Sequence, residues 1–201
     1  MKHSNLSALI LSGGQSRRAD VDDKGLANLA GKPMIQYLLT SLRQHISDIT
    51  ISTHQQHEDY RQFGCNQVND HFDNHLGPLA GIHAGLLHCN HEQLFVLPCD
   101  SPFLNTALIS SRLLQAKSTY RARIAVAHDG EHMQPTIAII DRALIASLSL
   151  FLNRGGRRLM SWFKEEHALE VDFSDHKDMF FNINTRGDIE QAEVYLNSKY
   201  K

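Results

Sequence analysis

Residues 11–26, LSGGQSRRADVDDKGL, crowd two adjacent glycines, two adjacent arginines and a lysine into one loop. That combination suits an anion. Gly13 and Gly14 carry no Cβ, so their backbone N–H groups can approach a ligand closely. Arg17, Arg18 and Lys24 can each give a phosphate a charge-assisted hydrogen bond worth about 1.5–3 kcal/mol net. The loop is not a P-loop, because Lys24 lies between Asp23 and Gly25 instead of preceding Ser or Thr. It also lacks the Gly-x-Gly-x-x-Gly of dinucleotide folds. Taken alone, the same residues also fit a surface turn with solvated charges.

Two carboxylates extend the pattern. The apolar run LFVL leads into Pro98-Cys99-Asp100-Ser101-Pro102, which sets Asp100 where a buried strand meets a loop. A carboxylate there can hold Mg²⁺, and Mg²⁺ bridges phosphate oxygens; Asp-Ser-Pro is equally ordinary turn chemistry. Asp70, in Val-Asn-Asp-His, is a second polar candidate of the same kind. GPLAGIHAG, from Gly77, starts a helix with small residues, which fits close packing on a sheet better than contact with a nucleobase. The 13 histidines, including His54, His57, His88 and His91, show no metal-ligand spacing and read as scattered surface residues.

The elements that must position these residues alternate. SALIL, DITIS, CNQV and LFVLP read as strands. Between them come a helical segment from Pro33 through Met34, Leu38, Leu42 and Ile46, then HEDYRQF stopped by Gly64, then GPLAGIHAGLLHC. TALISSRLLQAK is helical again. This rhythm predicts an α/β fold with a parallel sheet covered on both faces. In such a sheet ligands sit beyond the carboxyl ends of the strands, where the opening loop, Asp70 and Asp100 all fall. RARIAVAHDG and MQPTIAII then predict a hairpin about Asp129-Gly130. A helix from Arg142, another near GGRRLMSWF and a strand near ALEVDF follow, and Thr185 and Asp188 stand in capping-box spacing before the last helix.

Composition narrows the classes. The 201 residues, 42% apolar and 21% charged, predict one globular domain over 1–201. A net charge of −2 gives no general pull toward nucleic acid or anionic membrane. No apolar run approaches membrane-spanning length, and LSALIL is too short for a secretory signal. Cys65, Cys89 and Cys99 form no disulfide or zinc pattern, so a reducing cytoplasm is expected.

Taken in order, LSGGQSRRADVDDKGL, GPLAG, PCDSPF, QPTIAI, DFSDHKD and FNINT resemble segments of the molybdenum cofactor guanylyltransferases, from about residue 8 to about residue 190. The opening loop and PCD are shared with many nucleotidyltransferases, whereas DFSDHKD and NINT narrow the likeness to the molybdopterin branch. The resemblance implies a Rossmann-like nucleotidyltransferase fold, its N-terminal half binding nucleotide and its C-terminal half binding pterin. It implies transfer of GMP from GTP to Mo-molybdopterin with release of pyrophosphate, Mg²⁺ as cofactor, and delivery of the product to an apo-molybdoenzyme or its chaperone. Carried over by motif, Leu11, Ser12, Gly13, Lys24, Ser52, Asp70 and Asp100 would contact GTP. Asp100 would be the metal ligand, and Lys24, Asp100 and Arg18 would carry catalysis. Pro135, Thr136, Arg158, Asn182 and Asn184 would hold molybdopterin; by residue type alone the two asparagines read as turn and cap chemistry.

The chain departs from the family where Met-Gly usually follows the arginines. Here Ala19-Asp20 restricts positive φ and adds a negative charge beside a phosphate site. With Arg18, Lys24 and Asp100 retained, activity is expected to persist. Two rival readings stay open at this point: a cytidylyltransferase for the same cofactor, and a nucleotide- or cofactor-binding protein that no longer turns over.

Overall fold

A computed structural model of the chain describes residues 5–12, 23–53, 58–69 and 77–199. Gly13, Gly14, Arg17, Arg18, Ala19, Asp20, His54, His57 and Asp70 lie outside them. The first half runs β1 (Leu6–Leu11), β2 (Asn28–Leu29), β3 (Lys32–Pro33), α1 (Met34–Leu42), β4 (Ile49–Thr53), α2 (Glu58–Arg61), β5 (Asn66–Asn69), α3 (Pro78–His88), β6 (Gln93–Pro98) and α4 (Thr106–Tyr120). The second runs β7 (Ile124–His128), β8 (Met133–Asp141), α5 (Ile145–Asn153), α6 (Leu159–Glu165), β9 (Leu169–Asp172) and α7 (Arg186–Lys199).

Seven strands form one sheet in the order β5-β4-β1-β6-β8-β7-β9. β1 pairs in parallel with β4 and β6, β4 with β5, and β7 with β9. β8 alone runs antiparallel to its neighbours in this sheet, β6 and β7. The continuous apolar runs follow from burial on both faces. Along β6, Leu94 and Val96 face one core with α3, α5 and α6, while Phe95 and Leu97 face the other with α1 and α4. β7 and β8 alternate in the same way. The expected α/β architecture, mostly parallel with helices on both faces, is the one observed.

Local departures have physical reasons. β2 and β3 form a small hairpin that no long apolar run announced; Ala30 (φ 49°) and Gly31 (φ 82°) make its left-handed turn, and the Asn28 side chain accepts from Gly31 N. Pro33 therefore ends β3 and caps α1 instead of lying in the helix's first turn. The segment expected to be helical from Arg142 opens as a 3₁₀ turn, Arg142–Leu144, before α5. The Asp129-Gly130 hairpin forms as expected: Asp129 Oδ1 accepts from Glu131 N and His132 N, and Gly130 has φ 98°.

Small residues in α3 serve packing. A Cβ on Gly81 would lie 2.7 Å from the Ser52 hydroxyl and 2.8 Å from Leu11, and one on Gly85 would press on Leu9. These glycines let the helix settle directly on β1 and β4.

Candidate active site

The sheet's carboxyl edge gathers several of the expected residues. β1 ends at Leu11, whose carbonyl accepts from Cys99 N, and Ser12 N donates to Ser52 O. The start of the loop that follows β1 is thus tied to the ends of both flanking strands. Ser52 is buried beneath Gly81, so its side chain faces α3.

The far end of the loop returns through a buried polar network. Asp23 caps the 3₁₀ turn Lys24–Leu26 by accepting from Gly25 N at 3.0 Å. The fully buried Tyr60, from α2, donates to the same Asp23 oxygen at 2.6 Å and contacts the Ser12 hydroxyl. Burial first, then Asp23, pushes the Tyr60 phenol well above its usual range, which keeps it a neutral donor. A Cβ on Gly25 would collide with both the Ser12 and Tyr60 hydroxyls, so only glycine fits there. Tyr60, Asp23 and Gly25 are the positioning residues that sequence reasoning missed. The cue for Gly25 was its place beside Lys24; nothing local in HEDYRQF marks Tyr60.

Lys24 emerges from this base. Its Nζ lies 3.3 Å from Asp100 Oδ2 and donates to Asn184 Oδ1 at 2.5 Å. Both Lys24 and Asp100 keep solvent access, with side chains 26% and 21% exposed, so a ligand can reach them. Asp100 is fixed through its backbone, because its carbonyl accepts from Ile183 N at 2.8 Å. The buried Ser101 hydroxyl donates to Asn182 Oδ1. Neighbouring Cys99 is buried, and burial, then the Asp100 charge, pushes its thiol up to about 12; it is no nucleophile.

The late segment has its own fastenings. Arg112 of α4 grips Asp175 with both terminal nitrogens, at 2.7 and 2.8 Å, and donates to Asp172 O. That guanidinium holds the Asp175 carboxyl down to about 2. Lys177 pairs with Glu131, tying the 174–180 segment to the β7–β8 hairpin. The expected capping box is present: Asp188 Oδ2 accepts from Asn184 N and Thr185 N, and Asp188 N donates to Thr185 Oγ1.

Of the residues expected at the site, the structure brings Lys24, Asp100 and Asn184 into direct contact; Leu11 and Asn182 are tied to Cys99 and Ser101, the neighbours of Asp100, and Ser12 is bound to Ser52 and Tyr60. Pro135 and Thr136 lie at the start of β8. The β6–β8 pairing runs from Gln93↔Asp141 to Val96↔Ala138 and stops short of them, and the β7–β8 register shifts between Ala138 and Gln134, the stretch that holds both. Arg158 is exposed at the N-terminal flank of α6, and no hydrogen bond among the described residues ties it to the Lys24 cluster. Gly13, Arg18 and Asp70 fall outside the described residues. The histidines are not all at the surface as expected: His45 is buried, and His91 is drawn into contact with Ser7 and Asp48.

Comparison with known proteins agrees with this geometry. The chain is 41% identical, over 92% of its length and 93% of the relative's, to a molybdenum cofactor guanylyltransferase of Vibrio vulnificus (strain YJ016). It is 38% identical, over 95% and 93%, to the protein of that name from Vibrio cholerae serotype O1. Its fold matches the crystal structure of molybdopterin-guanine dinucleotide biosynthesis protein A from Archaeoglobus fulgidus with a TM-score of 0.79, covering 96% of this chain and 99% of that one at 19% identity. The MobA-like NTP transferase domain matches residues 8–170, the stretch that builds the sheet and carries Lys24 and Asp100, and with relatives this similar along nearly their whole length the chain belongs to that family.

Proposed function

We propose that this chain transfers GMP from GTP to Mo-molybdopterin, releasing pyrophosphate. The observation that carries the reading is the place of Lys24: one ammonium stands between Asp100, at the end of β6, and Asn184, in the late segment expected to hold the pterin. A cation at that junction suits a reaction that joins two phosphorylated substrates. The guanylyltransferase name of the curated relatives favours GTP over CTP.

The terminal phosphate of molybdopterin attacks the α-phosphorus of GTP in line, and pyrophosphate leaves. The nucleophile is already an anion, so positioning and charge neutralisation do most of the work. Lys24 takes a triphosphate oxygen, with Arg18 assisting, and Leu11, Ser12 and Gly13 are assigned to backbone contacts with the nucleotide. Ser52 and Asp70 are assigned to the nucleotide, and Pro135, Thr136, Arg158, Asn182 and Asn184 to the acceptor. The chain acts as one domain in the cytoplasm and hands its product to an apo-molybdoenzyme or its chaperone. No helix among the described residues is long and apolar enough to cross a membrane.

Mg²⁺ fits the residues present. It is held by one or two carboxylates, with waters and substrate phosphates completing the shell, and Asp100 offers one solvent-reachable carboxylate beside Lys24. When bound there it neutralises triphosphate charge.

The test is Mg²⁺-dependent transfer of labelled nucleotide from GTP and, in parallel, CTP to molybdopterin, with Asp100→Ala as control. GMP transfer that falls by about 10²–10³-fold in the variant supports the assignment. CTP preference would move the protein to the cytidylyl branch, and nucleotide binding without transfer would make it a binding protein.

A further inference from the structure

Lys24 and Asn184 are 160 positions apart in sequence, yet their side chains meet. An ammonium group has three donors. Among the described residues one lies toward Asp100 Oδ2 and one on Asn184 Oδ1, and no third partner is present, so a donor is left for a ligand oxygen. The two partners are held very differently. Lys24 reaches the contact on a flexible four-carbon stem. Asn184 sits in a segment fixed without help from Lys24: its N–H is bound by Asp188, Ile183 N is bound by the Asp100 carbonyl, and Asn182 is bound by Ser101. The Ile183 side chain is buried with Ala27, Leu29 and Met34, just beyond the turn that Lys24 opens.

The rigid partner therefore sets the position of the mobile one. We propose that Asn184 is a positioning residue for Lys24, holding the ammonium beside Asp100 with a donor still available for the triphosphate. Asn184 then governs nucleotide affinity before any acceptor is present, a role separate from contact with the pterin. The inference rests on the nucleotidyl-transfer reading above, with Lys24 as a phosphate ligand.

Titration of the chain with Mg²⁺–GTP in the absence of molybdopterin tests it. Asn184→Ala should weaken GTP binding about tenfold, as expected for loss of one charged hydrogen bond that orients the ligand cation. In a Lys24→Met background the same change should cost nothing further, because its effect passes through the ammonium. A residue that touched only the pterin would leave GTP affinity unaltered. GTP affinity in Asn184→Ala within about twofold of the unaltered chain, or tighter, would overturn the inference, as would an equal loss in the Lys24→Met background. If the unaltered chain bound no GTP, the functional reading would fall along with the inference. Asn184 is exposed, so the variant should keep its fold, which its thermal melt can check.

Discussion

Each end of β1 carries a serine next to an aspartate and a basic group. At the amino end, Ser7 is buried and its hydroxyl donates to Asp48 at 2.5 Å. Asn90 gives the same carboxylate its backbone and side-chain N–H, and His91 N donates to the Ser7 oxygen. At the carboxyl end, Ser12 meets Tyr60 while Lys24 lies beside Asp100. The Asp48 carboxylate takes three donors from the chain itself. The Asp100 carboxylate, among the described residues, has Lys24 alone. Similar residue types thus close a corner at one end of the strand and leave capacity for a ligand at the other. Saturation by the protein's own groups is what separates a structural cluster from a chemical one.

The largest effect should come from disturbing the open end. Gly25→Ala drives a methyl into the buried Ser12 and Tyr60 hydroxyls and must displace the turn that starts with Lys24. Displacement by about 1 Å can cost about 10²-fold in rate, so GMP transfer should fall by about that factor. Single-turnover assays on folded protein would measure it; near-normal transfer would mean that Lys24 need not be aimed from its base.

At the closed end the order of effects should reverse. Asp48→Asn should lower stability by about 1–3 kcal/mol, with transfer per folded molecule unchanged. For a chain this long each kcal/mol shifts the melting temperature by about 2–4 °C. Burial raises the Asp48 pKa, but Ser7, Asn90 and His91 together outweigh it and hold the carboxyl below its usual 3.8. A folded pKa lower than the unfolded one gives stability that is present above the unfolded value and lost as pH falls through the folded one. The difference in melting temperature between the unaltered chain and Asp48→Asn should therefore shrink as pH drops from about 6 to about 3. A constant difference would show that the carboxylate charge contributes nothing to this corner.

The smallest effect should come from Asp188→Ala, which removes the carboxylate that binds Asn184 N and Thr185 N. Loss of such a cap typically costs about 0.5–2 kcal/mol. A modest drop in melting temperature is expected; no change would mean that the backbone of 182–185 is held by its other attachments alone.

Much of this arrangement was legible in the sequence where a local pattern sufficed. The four parallel strands β1, β4, β5 and β6 announced themselves by apolar or β-branched runs, the β7–β8 hairpin by Asp129-Gly130, and the start of α7 by Thr185 and Asp188. Lys24 and Asp100 were legible as loop chemistry at strand ends. Contacts between distant segments were not. Nothing around Tyr60 shows that its hydroxyl locks a loop whose cap, Asp23, lies 37 positions earlier. The pairing of β8 between β6 and β7 likewise depends on which strands meet, not on any one strand's residues. The β2–β3 hairpin escaped because each strand has two residues and its turn places an alanine at positive φ, where sequence pattern offers no cue.

The reversed strand β8 has one more consequence. Its neighbours β6 and β7 run the other way, so β8 starts, just after the hairpin tip at Asp129–His132, at the edge where they end. Insertions at that tip would lengthen this edge while leaving β1, β4 and β6 in register. The topology therefore offers a graft point: one short turn could be exchanged while the strands that lead to Ser12 and Asp100 need not be rebuilt.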